Sequence, residues 1–215
     1  MKVLSLIKKD ILLMKKYLVI VLAISVVFPI FIYYKAPSLA GFTSFLMTAI
    51  FAVYMALQSI SMTETKYPKA EALLCASPYM RKALVFARYL FYLCIFCVVW
   101  VVFQAIGLAI GDFTSISFHD TALSLLIGSI LLCVYLPLQY KLGFEKMKYL
   151  LMILILLTPF SLPYIVDWLE KTTIDFSFVS SLSEWIRTTL YLLFALVINA
   201  ISLVISTKIY EKKEL

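Results

Sequence analysis

The sequence predicts an all-α integral membrane protein with six transmembrane helices. Six blocks of almost uncharged apolar residues follow one another along the chain, and a helix needs about 20 such residues to cross a bilayer. The mean hydropathy is +1.01 and only 14% of the residues are charged, which leaves little for a soluble domain. Helices are favoured over a β-barrel because no segment alternates with a period of two residues. The six expected spans are residues 17–34, 39–62, 84–110, 121–140, 149–166 and 188–206.

The distribution of charge predicts the orientation of this single domain, which takes in residues 1–215. The net charge is +7, and most of the 19 basic residues lie in the amino-terminal stretch, in or beside the second and fourth interhelical loops, or in the carboxy-terminal tail. The exceptions are Lys35, Lys171 and Arg187, and the alternate loops also carry half of the acidic residues. The positive-inside rule therefore puts both termini and the two basic loops in the cytoplasm. Topology alone explains the basic residues, so no nucleic-acid partner is expected.

Residues 2–14 predict a short interfacial helix before the first span. Val3, Ile7, Ile11 and Met14 recur at helical spacing, and the lysines lie away from them. A basic amphipathic helix of this kind suits the headgroup layer at the cytoplasmic face of a membrane. We expect the first span to be retained as a signal anchor, because Pro29 breaks its apolar run and no small-residue cleavage site follows.

The loop between the second and third spans predicts an isolated helix of about two turns at residues 69–76. Pro68 suits the first helical position, and Ser77–Pro78 stops the helix because a residue before proline avoids the α region. So short a helix is unstable alone and must dock on a partner. The residues expected to form or flank this docking element are Lys69, Glu71, Leu73, Leu74, Ser77, Pro78 and Arg81.

Three amide side chains within the spans are candidates to line a substrate path, namely Gln58, Gln104 and Asn199. Their alternative role is hydrogen bonding between helices. An ion-coupled transporter usually needs an ionisable residue inside a span, and no expected span interior holds a carboxylate or a lysine. We therefore expect a conduit without its own energy source.

Two prolines predict an interruption in the fifth span. Pro159 and Pro163 lie near its outer end and cannot donate backbone hydrogen bonds. The helix is expected to kink or break there, and this weakened segment is a candidate gate.

No catalytic or metal site is predicted. The sequence contains no phosphate-binding glycine loop, no HExxH motif and no paired CxxC zinc pattern. The single histidine, His119, is expected in a solvated outward loop. Cys94 and Cys97 form a CxxC pair, but they fall inside the third span, where two small apolar residues one turn apart explain them. The alternatives are a small thiol-redox membrane enzyme, an uncoupled channel and a structural membrane protein.

Three stretches of the chain resemble the small six-span permeases of type-2 ATP-binding cassette (ABC) exporters. They are Glu71–Leu74 with Ser77–Pro78, Arg81, Val85 and Arg88–Leu90; then Pro137–Lys146, which includes Tyr140, Lys141, Gly143, Glu145 and Lys146; and last Tyr210–Leu215. Together with the six expected spans, the resemblance covers essentially the whole chain.

The resemblance implies an architecture and a set of partners. It implies an elbow helix at 2–14 and a coupling helix at 69–76 that contacts an ATPase. It also implies two ABC ATPase subunits on separate chains, which hold the ATP and magnesium, and a second permease, identical or homologous. The membrane would be a bacterial plasma membrane, with lipids around the spans. The cargo stays open between amphipathic or antimicrobial peptides, drugs and lipids, and this chain itself is expected to hold no cofactor.

Overall fold

The computed structural model describes residues 2–35, 37, 40–66, 81–110, 116–149 and 183–212. These residues are mostly helical and include no strand. The helices are α1 (Lys2–Leu13), α2 (Lys15–Lys35), α3 (Phe42–Lys66), α4 (Arg81–Ala109), α5 (Phe118–Leu142) and α6 (Glu184–Glu211). A short helical stretch at 144–149 follows α5 after Gly143.

Five of these helices, α2 to α6, are each long and apolar enough to cross a membrane. They correspond to five of the six expected spans, so the all-helical class is confirmed for the described residues, and the sixth span stays a prediction. Outside the described residues lie the expected fifth span beyond Tyr149, its Pro159 and Pro163, the expected coupling helix at 69–76, and Ser77 and Pro78.

The helices extend beyond the apolar blocks because polar residues continue or cap them. The last turn of α3 runs on through polar residues to Lys66. At the start of α5, the Ser117 hydroxyl accepts a hydrogen bond from the backbone N–H of Asp120 at 3.1 Å. Gly143 ends α5 with a φ of 80°, a left-handed value that glycine adopts without steric cost. Hydropathy locates only the apolar middle of each helix, so these end turns were missed.

The centre of the bundle is α3, the most buried of the five candidate spans, which packs between α2 and α4. Phe45 of α3 meets Phe96 and Phe103 of α4 edge to face, with ring centroids 5.7 and 5.3 Å apart. On the other side, Phe28 of α2 lies 5.6 Å from Phe51 of α3. Aromatic pairs at these separations add to the packing energy beyond the area they bury.

Helices α5 and α6 run parallel, in a fixed register. Three polar contacts join them: His119 Nδ1 to Thr188 Oγ1 at 3.2 Å, Asn199 Nδ2 to Ser129 Oγ at 2.8 Å, and Ser202 Oγ to the carbonyl oxygen of Cys133 at 3.3 Å. The partners in each contact are 69 or 70 residues apart in the sequence. A constant separation of this kind means that both helices start at one end of the bundle and finish at the other.

The side chain of Tyr92 in α4 reaches α5 beside Gly128. The buried Tyr92 of α4 crosses to α5 and donates a hydrogen bond to the carbonyl oxygen of Leu125 at 3.4 Å. A Cβ atom at Gly128 would lie only 2.8 Å from the Tyr92 hydroxyl oxygen. The missing side chain therefore makes room for the tyrosine, as small residues do where membrane helices meet.

We predict that Gly128→Ala destabilises the bundle by about 1–3 kcal/mol, the usual range for overpacking. Because the clash is with the hydroxyl group, adding Tyr92→Phe should recover most of that loss. Thermal unfolding in detergent of the wild type, both single variants and the double variant forms a complete cycle. An equal effect of Gly128→Ala with and without Tyr92→Phe would contradict the contact.

Candidate functional site

A buried arginine anchors a group of charged residues where α1, α3 and α4 meet. Arg88 lies two turns into α4, and its Nη2 donates to Glu64 Oε2 of α3 at 2.5 Å. Its Nε lies 3.7 Å from Asp10 Oδ2 of α1. The guanidinium thus lies against one carboxylate of α1 and one of α3, and it donates a hydrogen bond to the second of them.

A lysine completes the group. Lys9 Nζ lies 3.1 Å from Asp10 Oδ1 and 3.3 Å from Glu64 Oε1. Two positive and two negative side chains therefore alternate, and their formal charges cancel. We call these four residues, Lys9, Asp10, Glu64 and Arg88, the ionic cluster.

The ionic cluster lies at a boundary between buried and exposed surroundings. The side chains of Asp10 and Arg88 are only 2% and 8% exposed, whereas those of Lys9 and Glu64 are about a quarter exposed. A charge that loses its water is stable only when it is paired and hydrogen-bonded. Arg88 has such a hydrogen bond to Glu64, whereas Asp10 Oδ1 is buried without a hydrogen-bond partner among the described residues, and Asp10 therefore depends on the charges of Lys9 and Arg88.

The local sequence explains why α1 brings a carboxylate to this position. Leu6, Asp10 and Met14 are spaced by four residues and form the buried face of the α1 region, while Ile11 and Leu12 are exposed. The apolar set expected to face the headgroup layer is divided, since Ile11 is exposed whereas Met14 is buried. The interfacial position of α1 stays a prediction. The buried face of α1 includes a carboxylate because α4 supplies a buried arginine opposite.

A polar cavity of about 90 Å³ adjoins the ionic cluster, with Gln139, Tyr140 and Tyr210 among its lining residues. Gln139 donates a hydrogen bond to Ser61 Oγ, which also accepts one from Arg88 Nη1 at 3.5 Å. The Oε1 atom of Gln139 is buried and has no hydrogen-bond partner among the described residues. The cavity is large enough to hold water, which is a common partner for such an atom.

Two of the residues expected in the second basic loop belong to this site. Tyr140 lies on the cavity, with its ring centroid 5.1 Å from that of Tyr210 in α6, and Gly143 lines the same cavity. The other three, Lys141, Glu145 and Lys146, are exposed. Arg81, expected beside the coupling helix, is the first residue of α4.

The three amides expected to line a pathway do not converge. Gln58 lies on a separate cavity of about 480 Å³ that Tyr17 and Lys148 also line. Gln104 Nε2 donates to the carbonyl oxygen of Ile116 at 3.1 Å, and Asn199 bonds to Ser129. Gln104 and Asn199 therefore make hydrogen bonds within the protein, which is the alternative role that the sequence analysis gave them. Their place in a substrate path stays a prediction.

Hydrogen bonds between hydroxyl groups join α4 to α6 next to the ionic cluster. The buried Tyr89, next to Arg88, shares hydrogen bonds with Ser202 Oγ at 2.6 Å and with Ser206 Oγ at 3.0 Å. Ser202 in turn bonds to Cys133 of α5. One tyrosine thus joins α4 to both neighbouring helices.

His119, Cys94 and Cys97 lie on membrane-length helices, and Cys75 lies outside the described residues. His119 lies in the first turn of α5, half-buried against Tyr191, rather than in a solvated loop. Cys94 and Cys97 are free thiols on the exposed face of α4. Among the described residues, no three histidine, cysteine or carboxylate side chains are grouped as metal ligands.

The ionic cluster was not predicted from the sequence, although two of its four members carried a signal. Asp10 is the one acidic residue in the lysine-rich amino-terminal stretch, and Arg88 lies inside an apolar run. A charge within an apolar run must find a partner, so the pairing of Arg88 was foreseeable in kind. The identity of its partners was not, because they lie on helices remote in sequence.

We predict that Arg88→Gln destabilises the protein by about 3–5 kcal/mol, because two carboxylates then share one lysine. The combined variant Asp10→Asn, Glu64→Gln, Arg88→Gln removes all three of the other charges and leaves only that of Lys9, which is partly exposed to water, so it should unfold closer to the wild-type temperature. Thermal unfolding in detergent compares the two. An equal or greater loss in the combined variant would refute the electrostatic explanation.

Comparison with known proteins gives one result. The chain matches the model of the ABC-2 family transporter protein over residues 5–211, and this match includes all five candidate spans and the ionic cluster. No characterised protein and no solved structure gave a significant match. With its membrane-length helices, the chain is therefore a multi-pass membrane permease component that belongs to the ABC-2 family of transporter proteins.

Proposed function

We propose that this chain is the permease subunit of an ABC exporter and forms half of a substrate pathway. Separate ATPase subunits, which hold the ATP and magnesium, would drive it. The observation that carries the proposal is the family match over residues 5–211. The proposal includes two ATPase subunits and a second permease, identical or homologous, with amphipathic peptides, drugs or lipids as cargo.

The placement of charge supports a cytoplasmic location for the end of the bundle that carries α1, which we call the α1 end. The last turns of α3, α5 and α6 and the first turns of α4 also lie at this end. The described lysines near it are Lys8, Lys9, Lys15, Lys66, Lys82, Lys141, Lys146, Lys148, Lys208 and Lys212. At the opposite end, the far end, Lys35 and Arg187 accompany Asp120 and Glu184. By the positive-inside rule the α1 end, with both termini, faces the cytoplasm.

A sixth crossing is also part of the proposal. Phe144 and Lys148, just after α5, line cavities at the α1 end together with residues of α2 and α3. Ser183 begins α6 at the far end, where His119 meets Thr188. Described residues 149 and 183 therefore lie at opposite ends of the bundle, as a crossing between them requires.

The ATPase contact belongs to the cytoplasmic segment between α3 and α4. Its expected coupling helix, residues 69–76, carries Leu73 and Leu74 on one side, and a short amphipathic helix fits a groove on a soluble partner. The thiol-redox alternative gains nothing from the fold, since Cys94 and Cys97 lie along the exposed middle of an apolar helix.

We predict that Leu73→Asp with Leu74→Asp abolishes co-purification with the ABC ATPase while membrane insertion continues. The matched control, Leu73→Met with Leu74→Met, keeps the apolar surface and should retain the partner. Affinity purification from membranes that contain both chains measures the yield of ATPase per permease. Undiminished co-purification of the aspartate variant would count against this docking site, and failure of the wild type to bind any ABC ATPase would count against the proposed function.

A further inference from the structure

We propose that Arg88, held by Asp10 and Glu64, is a positioning residue for energy coupling. It makes the α1 ends of α1, α3 and α4 one rigid unit, and that unit passes the motion of the ATPase to α5 and α6. The inference rests on the proposed function, because it requires an ATPase that moves the permease.

The ionic cluster joins the two helix ends on either side of residues 67–80. Glu64 is in the last turn of α3 and Arg88 is two turns into α4, so the pair joins the two helices that flank residues 67–80. A push on that connection reaches the ends of α3 and α4 before any other helix. Because the bond from Arg88 Nη2 to Glu64 Oε2 is a charge-assisted one of 2.5 Å, the two ends resist separation and move together.

Helix α1 is attached to the ends of α3 and α4 through Asp10. Asp10 is almost completely buried, and its Oδ2 lies 3.7 Å from Arg88 Nε. A single turn at Met14, also fully buried, joins α1 to α2. Displacement of the α3–α4 ends therefore moves α1 as well, and α1 is directly connected to the first span.

Further contacts link these three helix ends to α5 and α6. The Ser61 hydroxyl lies between Arg88 and Gln139, since it accepts a hydrogen bond from each, and this ties the unit to the end of α5. Tyr140, the next residue, packs its ring against Tyr210 of α6. Because α5 and α6 are held in register along their length, a movement at the α1 end reaches the far end of both.

Paired charges hold membrane helices in a fixed relative position better than apolar packing does. Between membrane helices there is little hydrophobic driving force, and apolar faces in lipid can slide against one another. The hydrogen bond from Arg88 to Glu64 is directional and limits how α3 and α4 can shift, and the ion pair with Asp10 keeps α1 close to both.

The test follows the far end of the bundle while the ATPase works at the α1 end. Ser183 is exposed and its side chain makes no capping hydrogen bond, so Ser183→Cys is a mild reporter once Cys75, Cys94, Cys97 and Cys133 are replaced. The assembled transporter is placed in proteoliposomes. The rate at which a charged maleimide labels the reporter is measured without nucleotide and after trapping with ATP and vanadate.

The combined variant Asp10→Asn, Glu64→Gln, Arg88→Gln is compared with the wild type. We expect it to insert, to bind the ATPase and to permit continued ATP hydrolysis. The nucleotide-dependent change in labelling rate should fall about fivefold or more, the lower range of coupling between sites. Arg88→Lys keeps the positive charge but loses the several donors of the guanidinium, so its nucleotide-dependent labelling change should lie between those of the wild type and the combined variant. If the combined variant fails to fold, Arg88→Lys takes its place in the comparison.

The matched control removes an ion pair that joins helices at the same end without being buried. Lys82 of α4 and Glu211 of α6 lie 3.9 Å apart, with side chains 71% and 45% exposed. An exposed pair contributes little, so Lys82→Gln with Glu211→Gln should leave the labelling response unchanged.

The outcomes separate this inference from the proposed function. If the wild type binds no ABC ATPase, the proposed function fails, and this inference falls with it. If the wild type assembles and hydrolyses ATP, then a response in the cluster variants equal to that of the wild type overturns the coupling role alone. Loss of ATPase binding in every cluster variant, with normal insertion, would assign the cluster to holding the partner and would also overturn it.

Discussion

A guanidinium cannot lie unpaired inside an apolar bundle, and the α1 end of this molecule is arranged around that constraint. The desolvation of Arg88 would cost several kcal/mol without opposite charge nearby, and the carboxylates of Asp10 and Glu64 supply that charge. Two consequences follow for the fold. Helix α1 must dock so that Asp10 is buried, and α3 must run on past its apolar block as far as Glu64. The ionic cluster therefore sets both the position of α1 and the length of α3.

Close packing and hydrogen bonds between helices stabilise the rest of the bundle. Because lipid is as apolar as a leucine side chain, membrane helices associate through close packing and hydrogen bonds. Gly128 lets Tyr92 reach α5, and Tyr89 joins α4 to Ser202 and Ser206 of α6. Asparagine, serine, threonine and histidine side chains join α5 to α6 and match their register. These contacts extend from the region of the ionic cluster towards the far end, and so provide a continuous route along the bundle.

The five membrane-length helices were predictable because hydropathy is a local property of the chain. Their ends were less so: Ser117 caps α5 and polar residues extend α3, and neither effect appears in an average over apolar residues. The partner helices of Arg88 were not predictable, because Asp10 and Glu64 are distant in sequence and a single chain carries no record of contact. The amphipathic pattern of α1 placed its apolar residues towards the headgroup layer and gave no sign that Asp10 would be buried in the bundle. Gln58, Gln104 and Asn199 were expected together on one path by residue type alone, and type does not determine which helix face meets which neighbour.

If Arg88 holds the α1 ends of α1, α3 and α4 together, the three helix ends should move as one body. Experimental structures of the permease bound to its ATPase, one without nucleotide and one trapped with ATP, would show this. We expect Arg88 to keep its contacts with Asp10 and Glu64 in both states, and the three helix ends to superimpose as a unit while their orientation to the second permease changes. Separation of α1 from α3 and α4 between the two states, or an exchange of partners by Arg88, would contradict this expectation.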